Sequence, residues 1–131
     1  MKMSPCPCES GRDYGDCCGA LHRAFDESGR LLAGSAETLM RSRYSAYALN
    51  LQPYLIASWH ASTRPAELVP NEPGLKWLGL QIKQCTQQDA DHASVEFVAR
   101  SKLGGRAFRL EELSRFVRED GQWFYVDGDM R

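Results

Sequence analysis

No stretch of the 131-residue sequence approaches the ~20 consecutive apolar residues that cross a bilayer. The first residues, M-K-M-S-P-C-P-C, lack the apolar core of a secretory signal, so the expected compartment is the cytoplasm. There is no excess of either charge: 16 Lys plus Arg face 17 Asp plus Glu, for a formal net charge of −1. That balance argues against a domain that grips nucleic acid by bulk positive charge. The chain also has no G-x-G-x-x-G, no G-x-x-x-x-G-K-[ST], no G-x-S-x-G and no H-E-x-x-H, which removes the well-marked nucleotide, hydrolase and metalloprotease classes. What it has is an average composition, 43% hydrophobic and 25% charged, compatible with one folded domain and a small appendage.

The appendage is where the cysteines are. Of five, four fall in Cys6-Pro7-Cys8-Glu9-Ser10-Gly11-Arg12-Asp13-Tyr14-Gly15-Asp16-Cys17-Cys18-Gly19, a C-x-C-x8-C-C spacing. Residues 1–24 are poor in aliphatics and cannot hold a shape by burial alone. Four thiolates supply a complete tetrahedral shell for one Zn2+, and a closed shell is structural because no position is left for water. Iron in the same shell is the alternative. Gly11 provides the reversal between the two cysteine pairs. A helix starting near Cys17 lets adjacent cysteines converge and carries Leu21 and His22. In a variant of this shell His22, at i+4, replaces Cys18. Redox cysteines and disulfides are the competing readings; the first more often show C-x-x-C, and a Cys17–Cys18 bridge is strained. The offsetting charges expected near the thiolates are Lys2, Arg12 and Arg23. Cys85, alone on a predicted strand, is expected to be a small core residue.

Residues 25–34 read as a linker and residues 35–131 as the main domain. Ser35 caps a helix ending near Asn50, and Pro53 starts a second, Gln52–His60, with Leu55, Ile56 and Trp59 inward. After an irregular stretch the period changes to strands: around Trp77–Cys85, around Ala93–Arg100, from Arg106 with a bulge near Glu111–Leu113, and Trp123–Asp127. Gly104-Gly105 and Asp120-Gly121 mark hairpins. Helices first and a four-stranded antiparallel meander afterwards make an α+β fold with the helices on one face of the sheet.

The cysteine segment fills every fixed position of C-P-C-x-S-G-x-x-Y-x-x-C-C-G and resembles the SEC-C motif, a small zinc-binding module. L-M-R-S-R-Y-S-A-Y, Y-L-I-A-S-W-H-A-S-T-R-P and S-R-F-V-R-E-D-G-Q-W-F-Y-V-D-G resemble the bacterial YchJ-like (UPF0225) family. The resemblance implies a zinc knuckle followed by the cystatin-like cone of NTF2-like proteins, a curved sheet wrapped on helices. It implies no known activity.

Two functions follow as expectations. In the first, the zinc knuckle of an accessory or adaptor protein engages a protein or ribonucleoprotein partner through exposed Arg12, Tyr14 and Lys2. In the second, a small-molecule-binding protein or enzyme uses the cone's pocket, with His60 as acid or base, Arg64 binding an anionic group, and Tyr44 lining it. The bland reading has His60 capping a helix and Arg64 paired with an acid. Tyr44 and Tyr47 are either core or ligand-facing, with Arg43 on the face of Tyr47. Glu111, Glu112 and Arg115 read as paired charges on a solvated strand face, with a role in the pocket as the alternative.

Overall fold

The structure is a computed structural model that describes residues 4–68 and 70–131. A 3-10 turn, Tyr14–Asp16, leads into helix α1 (Cys18–Ser28), followed by α2 (Ala36–Leu49) and α3 (Gln52–Ala57). Four strands follow: β1 (Lys76–Asp89), β2 (His92–Leu103), β3 (Arg106–Glu119) and β4 (Gln122–Met130). They form one antiparallel sheet in the order β1-β2-β3-β4, the expected meander. Among the described residues no helix is long and apolar enough to cross a membrane.

Local chemistry sets the element ends. The Ser35 hydroxyl accepts the Thr38 N–H at 3.1 Å, and Asn50 ends α2 in the left-handed region at φ 61°. Both predicted hairpins carry positive φ at both central residues, Gly104 and Gly105 (58°, 78°) and Asp120 and Gly121 (53°, 74°), the backbone that matches strand twist. Helix α1 reaches Ser28, so it takes up part of the segment read as a linker.

Three details differ from the sequence reading. The second helix stops at Ala57, not His60, because the next residues turn onto the sheet. There the Tyr125 N–H donates to Ser58 O at 2.9 Å, and the His60 N–H donates to Tyr125 O at 2.7 Å. The β2–β3 register is unbroken past Glu111–Leu113, so the expected bulge is absent there. The irregularity lies instead between Arg115 and Phe116, where Arg115 pairs with Asp127 and Phe116 with Tyr125, leaving Val126 extra on β4. Cys85 is exposed, because only Gly79 and Leu80 of β1 are buried and the second half of this edge strand is open to solvent where it passes the start of α2. Its thiol donates to Glu37 Oε1 at 3.2 Å.

The sheet's inner face packs on α2, which contacts β1, β2 and β4. One core cluster joins Leu39, Met40 and Tyr44 of α2 to Val95, Phe97, Phe116 and Trp123 of the sheet, and Cys6, Cys8 and Cys18 belong to that same cluster. A second, around Leu31, Ala46, Tyr54 and Leu55, seats α3. The N-terminal module and the sheet therefore share one interior.

Candidate metal centre and cavity

The chain before α1 folds back on itself. Cys6 N–H donates to Arg12 O at 3.0 Å and Tyr14 N–H to Ser4 O at 2.7 Å, across a reversal in which Glu9 (φ 61°) and Gly11 (φ 85°) are left-handed. Cys17 precedes α1 with non-helical backbone and Cys18 is its first residue, so the adjacent side chains need not diverge as they would in a strand. The four sulfurs of Cys6, Cys8, Cys17 and Cys18 lie within 4.8 Å of one another. Cys8 and Cys17 are 3.7 Å apart. A tetrahedral ion with bonds of ~2.3 Å places its sulfurs about 3.8 Å apart, so the donor set fits a metal ion.

Three of the four thiols are buried and Cys17 is half-buried. Hydrogen bonding from Cys18 pulls the Cys8 thiol down to about 4, against the opposing effect of burial. The Cys18 thiol is driven up by the same contact and by burial. Burial pushes Cys17 up as well. Ser10 Oγ lies 3.2 Å from Cys17 Sγ, and Ser45 Oγ of α2 lies 3.5 Å from Cys6 Sγ. One sulfur already favours the charged form, which is the form a metal binds.

His22 is not part of this set. It is buried, with Nε2 2.9 Å from Ser42 O and Nδ1 2.6 Å from the Tyr14 hydroxyl. Both ring nitrogens are engaged, and burial lowers its pKa. Tyr14, expected to be exposed, is half-buried against this imidazole. A Cβ on Gly19 would come 2.6 Å from Tyr14 O and 2.8 Å from its ring, so the glycine of C-C-G is required for that packing. Of the expected counter-charges, Arg12 bonds Asp16 O, Arg23 bonds Gly15 O at 2.9 Å, and Lys2 lies outside the described residues. The cation that reaches the cysteine loop is Arg41 of α2, donating to Cys8 O at 2.8 Å.

The second candidate is a cavity of about 300 Å³ between α2 and the sheet, lined by Met40, Arg43, Tyr44, Tyr47, Trp59, Asn71, Trp77, Phe97, Ala99, Leu110, Glu112, Ser114 and Tyr125. Arg43 is 4% exposed. Its Nη1 donates to Leu55 O at 2.9 Å and Ser58 Oγ at 2.6 Å, and its guanidinium lies 4.6 Å from the Tyr125 ring centre and 5.1 Å from that of Trp59. Burial lowers its pKa. Trp59 Nε1 and Trp77 Nε1 are shut from solvent and meet no acceptor among the described residues. Glu112 accepts from Ser114 Oγ at 2.5 Å and from the Tyr125 hydroxyl at 3.4 Å. Tyr44 lines the cavity and burial pushes its hydroxyl up to about 12.

His60 and Arg64 lie elsewhere. Arg64 donates to Trp59 O at 2.9 Å and to Ala57 O at 3.4 Å, satisfying carbonyls at the end of α3. His60 Nε2 meets Glu119 Oε2 at 2.7 Å, and Nδ1 faces the Ser62 hydroxyl at 2.7 Å. The two exchange the roles of the bland reading: the arginine caps and the histidine pairs with the acid. Hydroxyl, imidazole and carboxylate in a row resemble a hydrolase relay. Here, however, Nδ1 also accepts the N–H of Ser62 itself, a local turn on an open surface. Glu111 pairs with Lys83 and Arg109, and Arg115 with Asp127 and Asp129, as a solvated face should. Glu112, on the opposite side of β3 from Glu111, does not; it lines the cavity. Sequence reasoning held a pocket role for Glu112 and a binding role for Trp77 only as alternatives, and missed Trp59 as a cavity residue. The signal for Glu112 was its alternation with Leu110 and Ser114.

An α+β cone carrying a four-cysteine module at its start is thus the class that fold and site define. A model for the YchJ middle NTF2-like domain matches residues 35–128, and one for the SEC-C motif matches residues 4–20. A UPF0225 protein of Bordetella pertussis is 55% identical over 100% of both chains, and one of Methylibium petroleiphilum is 55% identical over 98% of this chain and 92% of its own. The chain belongs to the UPF0225 family. Among solved structures, a SEC-C motif containing protein from Rhodopseudomonas palustris superposes with a TM-score of 0.78 at 30% identity, covering 96% of this chain and 98% of that one. Another from Psychrobacter arcticus gives 0.77 at 25% identity, covering 97% and 81%.

Proposed function

We propose that the chain is a small-molecule-binding protein whose N-terminal cysteines hold one structural Zn2+. The observation that carries this reading is the cavity: about 300 Å³ between α2 and the sheet, walled by aromatic side chains and lined also by the buried Arg43. A small, mostly apolar space with a few polar groups converging on it is the form a ligand site takes. The zinc's contribution is a cross-link, since four thiolates close its shell. Zinc is named first because the cysteine segment resembles a zinc-binding module; a closed tetrahedral thiolate shell suits iron as well. Elemental analysis separates the two. Unpaired thiols agree with a reducing, cytoplasmic setting.

The test uses the three tryptophans as reporters. Trp59 and Trp77 line the cavity, while Trp123 is buried in the core outside it. Titrating isotopically labelled protein with a fragment library is expected to shift two indole resonances and spare the third. A library that shifts none of them, or Trp123 alone, overturns the reading.

The adaptor reading keeps one specific support, the exposed Arg12 on the cysteine loop. Partner lists captured by wild type and by Arg12→Glu differ if that loop is an interface, and coincide if it is only a brace.

A further inference from the structure

We infer that the cavity selects a small planar carboxylate, a single aromatic ring bearing one negative charge. The inference rests on the cavity being a ligand site and adds the ligand's chemistry. Donors decide it. An arginine offers five N–H groups, and only Nη1 of Arg43 is engaged in hydrogen bonds among the described residues. Nε and Nη2 make no hydrogen bond among the described residues. No carboxylate forms an ion pair with Arg43 among the described residues; ring faces cover its guanidinium, and the Glu112 charge acts on it only through space. Groups of this kind call for an acceptor with two oxygens and a negative charge, the fork-to-fork match of guanidinium and carboxylate.

The remaining wall sets body and charge. Tyr44, Phe97 and Leu110 offer flat or aliphatic surface and few polar atoms. A volume of about 300 Å³ is at the lower end of ligand sites, so the body is small. Glu112, already holding two hydroxyls, stands in the same cavity and opposes a second negative charge. A monoanion is therefore favoured over a phosphate dianion.

Benzoate, benzamide and phenyl phosphate test this by calorimetric titration of the metal-loaded full chain near neutral pH. Benzoate is expected to bind at least about tenfold more tightly than either of the others. Because Arg43 substitutions threaten folding, a milder variant carries the argument. Glu112→Gln keeps the shape and removes the charge; it should tighten benzoate by about fivefold to tenfold. Equal affinity for benzoate and benzamide, or benzoate binding indifferent to this variant, overturns the carboxylate assignment. If the fragment library still moves the Trp59 and Trp77 indoles, the ligand-site reading survives that result; if it does not, both fall.

Discussion

Ser45 Oγ, fully buried on α2, lies 3.5 Å from Cys6 Sγ. The four-cysteine cluster therefore touches the helix that also carries Arg43 and Tyr44 into the cavity. Arg41, on the same helix, holds the Cys8 carbonyl at 2.8 Å. A structural zinc held by these four cysteines would release free energy on the order of 10 kcal/mol, and contacts of this kind would couple that energy to the main core.

Losing one thiolate should accordingly melt the body, not only the first residues. Cys8→Ser is expected to lower Tm by roughly 10 °C or more. A melt followed by tryptophan fluorescence reads the sheet and cavity directly. An unchanged Tm would show the module to be an independent appendage.

His22 makes stability depend on pH. Burial lowers its pKa in the folded protein below the usual histidine value of 6.5. Its contribution is fully present above the unfolded-state pKa. As pH falls below about 6.5 the unfolded chain takes up a proton that the folded one refuses, so stability drops until the folded pKa is passed. Urea midpoints across this window should fall more steeply for wild type than for His22→Gln. Parallel slopes would remove His22 as the source.

Arg64→Ala should cost about 1 kcal/mol, because carbonyls at the end of α3 lose their donor. His60→Ala removes a hydrogen bond to a largely exposed Glu119 and should cost less than about 1 kcal/mol. Neither variant should alter ligand affinity at the cavity. A specific loss of binding in His60→Ala would instead place this histidine in the site.

Gly128→Ala tests how the cavity carboxylate is seated. A Cβ there would overlap the Glu112 carboxylate, so the side chain must leave its place. The Tyr125 and Ser114 hydroxyls would lose their acceptor, at a cost of about 1 kcal/mol each at most. Denaturation of Gly128→Ala and Glu112→Gln should give similar, modest losses. A neutral Gly128→Ala would mean that Glu112 moves without consequence.

Much of this was legible in the chain. The four cysteines stand out because their residue type is rare and their spacing short. The helices showed their caps at Ser35 and Asn50, and the hairpins showed their turn pairs. What was hidden depends on tertiary placement. Cys85 looked like core because alternation marks a strand's faces, but it cannot show how much of an edge strand the helices leave open to solvent. Tyr14 looked exposed because nothing local predicts that Gly19 admits its ring beside His22. Trp59 looked helical until Tyr125 captured the backbone beside it. Glu112 looked solvated because its neighbours in sequence, Glu111 and Arg115, are.

The most direct measurement is the metal content of the intact chain, purified without added metal and examined by native mass spectrometry with elemental analysis. One zinc per molecule, released only with loss of the folded body, is the predicted result. A chain that carries no metal and still shows the native fold through Cys17 and Cys18 would contradict the account.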